Sequence, residues 1–154
     1  MTRRTLLAAS GGAALAQPAP IPIIDTHIHL FDISRPQGVP WPAKDNAVLY
    51  KTALPDRYRK LAAPHGIVGA IELECSPWFD DNQWVLDVAA KDKIIVGMIG
   101  NLEPGSPEFR KHLDRFHKNP LYLGIRYGNI WGRNLGAELG KPEFIAGMKA
   151  LAQA

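Results

Sequence analysis

An α/β fold with a parallel sheet is predicted by three features of this sequence. Short apolar runs alternate four times with longer amphipathic ones. Runs such as IIVGMIG are almost continuously apolar, as strands covered on both faces are. Polar side chains gather where these runs end: His27 and His29, then Glu74 with Ser76, then Asn101, then Arg126 with Asn129. Two architectures fit, a doubly wound open sheet and a (β/α)8 barrel, and in a barrel that rim carries the active site. No glycine-rich phosphate fingerprint follows the first run, which weakens the nucleotide-binding form of the open sheet.

The elements follow in order. Residues 1–16 read as a signal peptide: Arg3 and Arg4 precede an apolar Gly/Ala-rich run, and Ala14-Leu15-Ala16 has the form of a cleavage site. The paired arginines are similar to a twin-arginine leader, which implies export, to the periplasm, in the folded state. The run is too short for a lasting membrane anchor. Residues 17–21 are a linker and 22–154 the folded domain. Ile21–Ile28 is a strand, and 33–54, rich in Pro, Gly and Asn, is a long ordered loop. A helix is expected over 54–63, with Pro55 in its first turn. A second strand, 67–75, precedes a helix over 80–91, in which Trp84 belongs to the buried face. A third strand, 94–100, precedes a helix over 107–118 capped by Ser106, with Phe109, Leu113 and Phe116 at helical spacing. A fourth strand, 121–127, and a helix over 142–152 complete four βα units.

The 154 residues suffice for one ordinary domain. Without Arg3 and Arg4 the balance is 16 basic against 15 acidic residues, so nothing favours nucleic acid or an anionic membrane as partner. The single cysteine, Cys75, excludes an internal disulfide and reads as an inert buried thiol. His65, His112 and His117 read as surface or boundary residues.

Residues i and i+2 of a strand share a face, so Asp25, His27 and His29 are expected together, with Ile24, Thr26 and Ile28 opposite. Two imidazoles so placed can converge on one divalent cation, zinc above all, since zinc–nitrogen bonds of about 2.0 to 2.1 Å require only modest ring tilt. Asp25 is then positioned to orient one ring.

DTHIH at 25–29 resembles the first-strand signature of the amidohydrolase superfamily. PWP at 40–42, IELECSPW at 71–78, DNQWVLDVAA at 81–90, VGMIGNL at 96–102 and LGIRYGN at 123–129 are similar, in order, to its amidohydrolase-2 branch, which includes sugar-lactone and pyrone-dicarboxylate lactonases. The resemblance implies a (β/α)8 barrel of which about the first four βα units are present, the typical barrel having about 250 residues. It further implies a metal-dependent hydrolase with His27 and His29 as first-strand metal ligands. Arg126 would contact a substrate carboxylate or hydroxyl, and Glu74 would face the site. The family's later-strand histidines and eighth-strand aspartate have no counterpart here, so this chain alone is expected to be inactive.

Beside the resemblance, Arg126 offers a bidentate fork for a carboxylate, and could equally pair with a structural one, Glu72 or Glu74. Those two glutamates are expected to share a face. Trp41 and Trp78 could wall a pocket. Ser76 and Asn101, at strand ends, are further candidates for substrate contact, although turn and capping roles also suit Asn101. The expected reaction is hydrolysis of a lactone or similar cyclic ester, on an anionic or polyhydroxylated small molecule. A non-oxidative decarboxylase on the same scaffold is the alternative, as is an inactive fragment or a binding half-barrel completed by a partner.

Overall fold

The computed structural model describes residues 21–154, and the leader read from residues 1–16 lies outside them. Four parallel strands form one sheet in the order β1 (Ile23–Ile28), β2 (Ile67–Leu73), β3 (Ile95–Gly100), β4 (Tyr122–Ile125). Between them run α1 (Pro55–Ala62), α2 (Asp80–Ala89) and α3 (Phe109–Phe116), with α4 (Leu135–Glu138) and α5 (Pro142–Leu151) after β4. The alternation read from the sequence is therefore the architecture. No helix among the described residues is long and apolar enough to cross a membrane.

Each helix forms where its ends and its apolar spacing allow. Pro55 and Pro142 open α1 and α5, where a missing N–H costs nothing. In α3 the predicted trio Phe109, Leu113 and Phe116 is buried, meeting Met98 and Tyr122 of the sheet and Val85 and Leu86 of α2. Ser106 does not cap α3, which begins three residues later. Its Oγ instead accepts the Glu108 N–H at 3.2 Å, closing the turn before the helix. A second cluster joins Ile28, Leu30, Ala70, Ala89, Ile94 and Ile95, with Tyr58 of α1 and Trp84 of α2 against it.

The long loop 33–54 is ordered by turns and by one antiparallel bridge, Phe31 to Ala53. The sheet face away from these helices is different. Ile24, Val96 and Leu123 are about half exposed there, clustered over Gly69 and Gly97. In a closed barrel that face is the interior, and β1 and β4 are the two strands with a single neighbour.

Candidate active site

Strand pairing is irregular at the point where chemistry begins. Between Asp25 and Ile28, β1 advances three residues while its partner advances two, from Ala70 to Glu72. This bulge resets the alternation. It corrects the expected shared face, because Asp25 turns to α1 and accepts the Tyr58 hydroxyl at 3.0 Å. Its other oxygen takes the His27 backbone N–H at 3.1 Å, so Asp25 orients neither ring. Ile28 packs into the cluster under the helices, and the histidines remain together on the other side.

The rings of His27 and His29 meet edge to face, centroids 5.1 Å apart. Two imidazoles bonded to one zinc at about 2.0 to 2.1 Å and near-tetrahedral angles have centroids about 5 Å apart, so the pair fits as two ligands of one ion. His29 is the better defined. Its Nδ1 lies 2.7 Å from the Leu73 carbonyl oxygen, an acceptor only, so Nδ1 carries the proton and Nε2 presents a lone pair. Burial, first, lowers the His29 pKa; the Leu73 bond opposes this, and His27 and Arg126 add to the lowering. The shift favours the neutral ring, the form in which imidazole binds a metal. Among the described residues no group of three or more His, Cys, Asp or Glu side chains could hold a metal ion.

His29, Trp41, Cys75, Arg126, Ile130 and Trp131 line a cleft of about 390 Å³. Trp41, predicted as a wall, stands edge-on to both His29 and Phe31, at 5.3 and 5.5 Å. Arg126 follows β4, where its N–H bonds the Gly100 carbonyl at 2.9 Å and holds the side chain at the rim. Its Nε lies 3.9 Å from Glu74 Oε1, and its Nη1 donates to the Glu74 carbonyl oxygen at 3.3 Å. This is a loose tether that leaves the guanidinium about one third exposed. Glu74 is therefore the carboxylate that answers Arg126.

Glu74 is also gripped from a residue the sequence left unassigned. The Trp131 indole N–H lies 3.2 and 3.0 Å from its two carboxylate oxygens, and the Ser76 N–H reaches Oε2 at 3.1 Å. Burial nevertheless raises its pKa, against the lowering by Trp131, Ser76, Arg126 and Arg133. Trp131 has φ 57°, in the left-handed region that non-glycine residues rarely occupy. Only the WG pair hinted at a tight turn there.

Ser76 and Asn101 correct the sequence reading: both are buried and engaged in the wall. Asn101 donates to the Ser76 carbonyl at 2.8 Å, receives Arg133 Nη2 at 2.6 Å, and exchanges backbone bonds with the Asn82 amide at 2.7 and 2.8 Å. Ser76 Oγ accepts the Trp78 N–H at 3.1 Å. A side chain so occupied supports the rim and does not reach into the cleft. Cys75 is buried as expected, its thiol pKa raised by burial and then by the carboxylates around it. His65 and His117 are exposed, while His112 lies on the Phe79 ring, 3.9 Å between centroids.

No family model matches the sequence. Over 103 residues the chain is 23% identical to an L-fucono-1,5-lactonase of Burkholderia ambifaria, covering 67% of this chain and 35% of that protein. An amidohydrolase of Burkholderia multivorans, solved with bound zinc, superposes with TM-score 0.70 at 20% identity, over 82% of this chain and 44% of the other. A Burkholderia multivorans amidohydrolase solved with bound HEPES superposes with TM-score 0.67 at 19% identity. The chain thus spans less than half the length of these relatives. At such identity the structural likeness establishes the fold, an α/β barrel type, and it agrees with the resemblance carried by the ordered motifs.

Proposed function

We propose that this chain carries the first-strand side of the active site of a metal-dependent hydrolase of the amidohydrolase-2 type, acting on a lactone or similar cyclic ester. The observation that carries the reading is the convergence of His27 and His29, with the His29 proton fixed on Nδ1 by Leu73, beside a cleft holding Arg126. The two rings would hold a divalent cation, zinc by the chemistry of the donors, which when bound supplies Lewis-acid polarisation of a carbonyl. The chain's own residues do the rest. Arg126, tethered loosely, turns its fork to a substrate carboxylate or hydroxyl. Trp41 and Trp131 form apolar walls that exclude water, and Glu74 sets Trp131 and Arg126 in place.

A small anionic or polyhydroxylated substrate suits this cleft. The reading also asks for further βα units over the exposed sheet face, from this polypeptide or another, and for export through the Arg3-Arg4 leader. The likeness to an L-fucono-1,5-lactonase supports the lactone assignment by analogy.

A pH-stat assay over a panel of sugar lactones tests the proposal, using the protein expressed from its complete reading frame. Acid release without CO2, falling at least tenfold on chelation and in His29→Ala, is expected. Release of CO2 from an acid substrate, or turnover indifferent to chelation, would overturn it.

A further inference from the structure

Behind the cleft wall, between the sheet, α2 and the segment around Trp41, lies a second cavity. Glu72, Ser76, Asp81 and the rings of Trp41 and Trp84 line it, among apolar side chains. Its volume is about 20 Å³. One water requires about 10 to 15 Å³ on this measure, so the space suits a single water molecule.

Glu72 supplies the need for one. It is 1% exposed, on a central strand, and its Oε2 has no hydrogen-bond partner among the described residues. An unpaired buried oxygen is costly, and an ionised one far more so. Among the described residues no cation compensates it. The charged neighbours acting on Glu72 are Glu74, just past the end of β2, and Asp81 on α2, both acidic, while the Leu30 backbone of the β1 exit is the one favourable contact. Arg35, from the loop, lines the cavity but is committed: its Nη2 meets Asp81 at 2.5 Å and its guanidinium lies over Trp84. The Cys75 thiol donates to the Leu30 carbonyl at 3.4 Å. Ser76 Oγ receives the Trp78 N–H, which leaves its hydroxyl proton to be given. An orphaned carboxyl oxygen, an uncommitted hydroxyl proton and a water-sized space thus coincide.

We propose that this cavity is a binding site for one structural water, held between Glu72 Oε2 and the Ser76 hydroxyl, with Glu72 present as the neutral acid. The neutral acid gives the water a donor on one side, and the Asp81 carboxylate, also lining the cavity, accepts from it on another. Because Ser76 is bonded through its carbonyl to Asn101 and through its N–H to Glu74, the water braces the wall that carries Glu74.

Burial above all, then Glu74, raises the Glu72 pKa well above the carboxylate range, and Leu30 opposes this. A raised folded pKa gives stability that is complete below the ordinary value and is lost as pH rises toward the folded one. Across that window the native state binds one extra proton, and the folding constant falls tenfold per pH unit.

The test joins a high-resolution crystal structure with infrared and stability measurements on the full chain. A density peak within hydrogen-bonding distance of Glu72 Oε2 is expected, with a protonated-carboxyl stretch at neutral pH that disappears in Glu72→Gln. That variant should keep the water and remove Glu72's share of the pH slope. Glu72→Met should lose the water. An empty cavity in the wild-type map, a protein donor on Oε2, or a pH slope unchanged in Glu72→Gln would each overturn the proposal.

Discussion

Trp131 shows how one residue can hold the cleft together. Its left-handed backbone is a strained conformation worth about 1 to 3 kcal/mol, and the indole N–H to Glu74 is the bond that repays it. Trp131→Phe removes the donor and leaves a buried carboxylate short of a partner. A loss of about 1 to 3 kcal/mol is expected in urea unfolding. Asn101→Ala, which strips two side-chain bonds, to the Ser76 carbonyl and from Arg133, out of a buried junction, is expected to cost a similar amount, about 1 to 3 kcal/mol. At this scale the sequence was half legible. Two histidines at i and i+2 declare a shared face in a strand, and they share one. Asp25, expected on the same face, lies on the other, because a bulge is decided by pairing with β2 and leaves no mark on β1. Ser76 and Asn101 sit at the right height on the barrel rim, but Asn101 is occupied by Asn82 and Arg133, residues distant in the chain, and Ser76 by a local turn bond from Trp78.

Elements were read more reliably, because periodicity is local. α1, α2, α3 and α5 lie within two residues of expectation at most of their ends, and the buried face of α3 was identified residue by residue. What failed was capping and brevity. Ser106 has the chemistry of an N-cap, yet Pro107 and Glu108 close a turn before α3 starts. α4, at four residues, is too short to carry a period. Packing between elements has its own requirement at Gly147 of α5: a Cβ there would drive into the carbonyl oxygen of Pro104, which is backbone and has little room to move. Gly147→Ala is expected to destabilise by about 1 to 3 kcal/mol despite its better helix propensity, read as a lower urea midpoint. Leu113→Ala, in the cluster between α3 and the sheet, should cost about 2 to 5 kcal/mol on the same assay.

For the whole molecule, the alternation of strands and helices predicted the parallel sheet, and the order β1-β2-β3-β4 is the sequential one that a barrel has. The face opposite the helices carries Ile24, Val96 and Leu123 exposed beside two single-neighbour strands. Such a surface binds whatever apolar partner is offered. The purified chain alone is expected to self-associate and to enhance dye fluorescence, and Leu123→Lys should reduce both while leaving the α3 core intact. Sedimentation velocity reads the first effect directly. The site sits at the carboxyl end of this same sheet, so under the proposed function the units that cover the exposed face would also bring the further metal ligands.

Whether the first strand presents a metal-binding imidazole pair can be read by nitrogen-resolved NMR of the histidine rings during a zinc titration. The His29 Nε2 resonance is expected to shift with His27 while the His29 Nδ1 proton, held by Leu73, stays in place. Movement of Nδ1, or rings that ignore zinc altogether, would contradict metal binding by the pair.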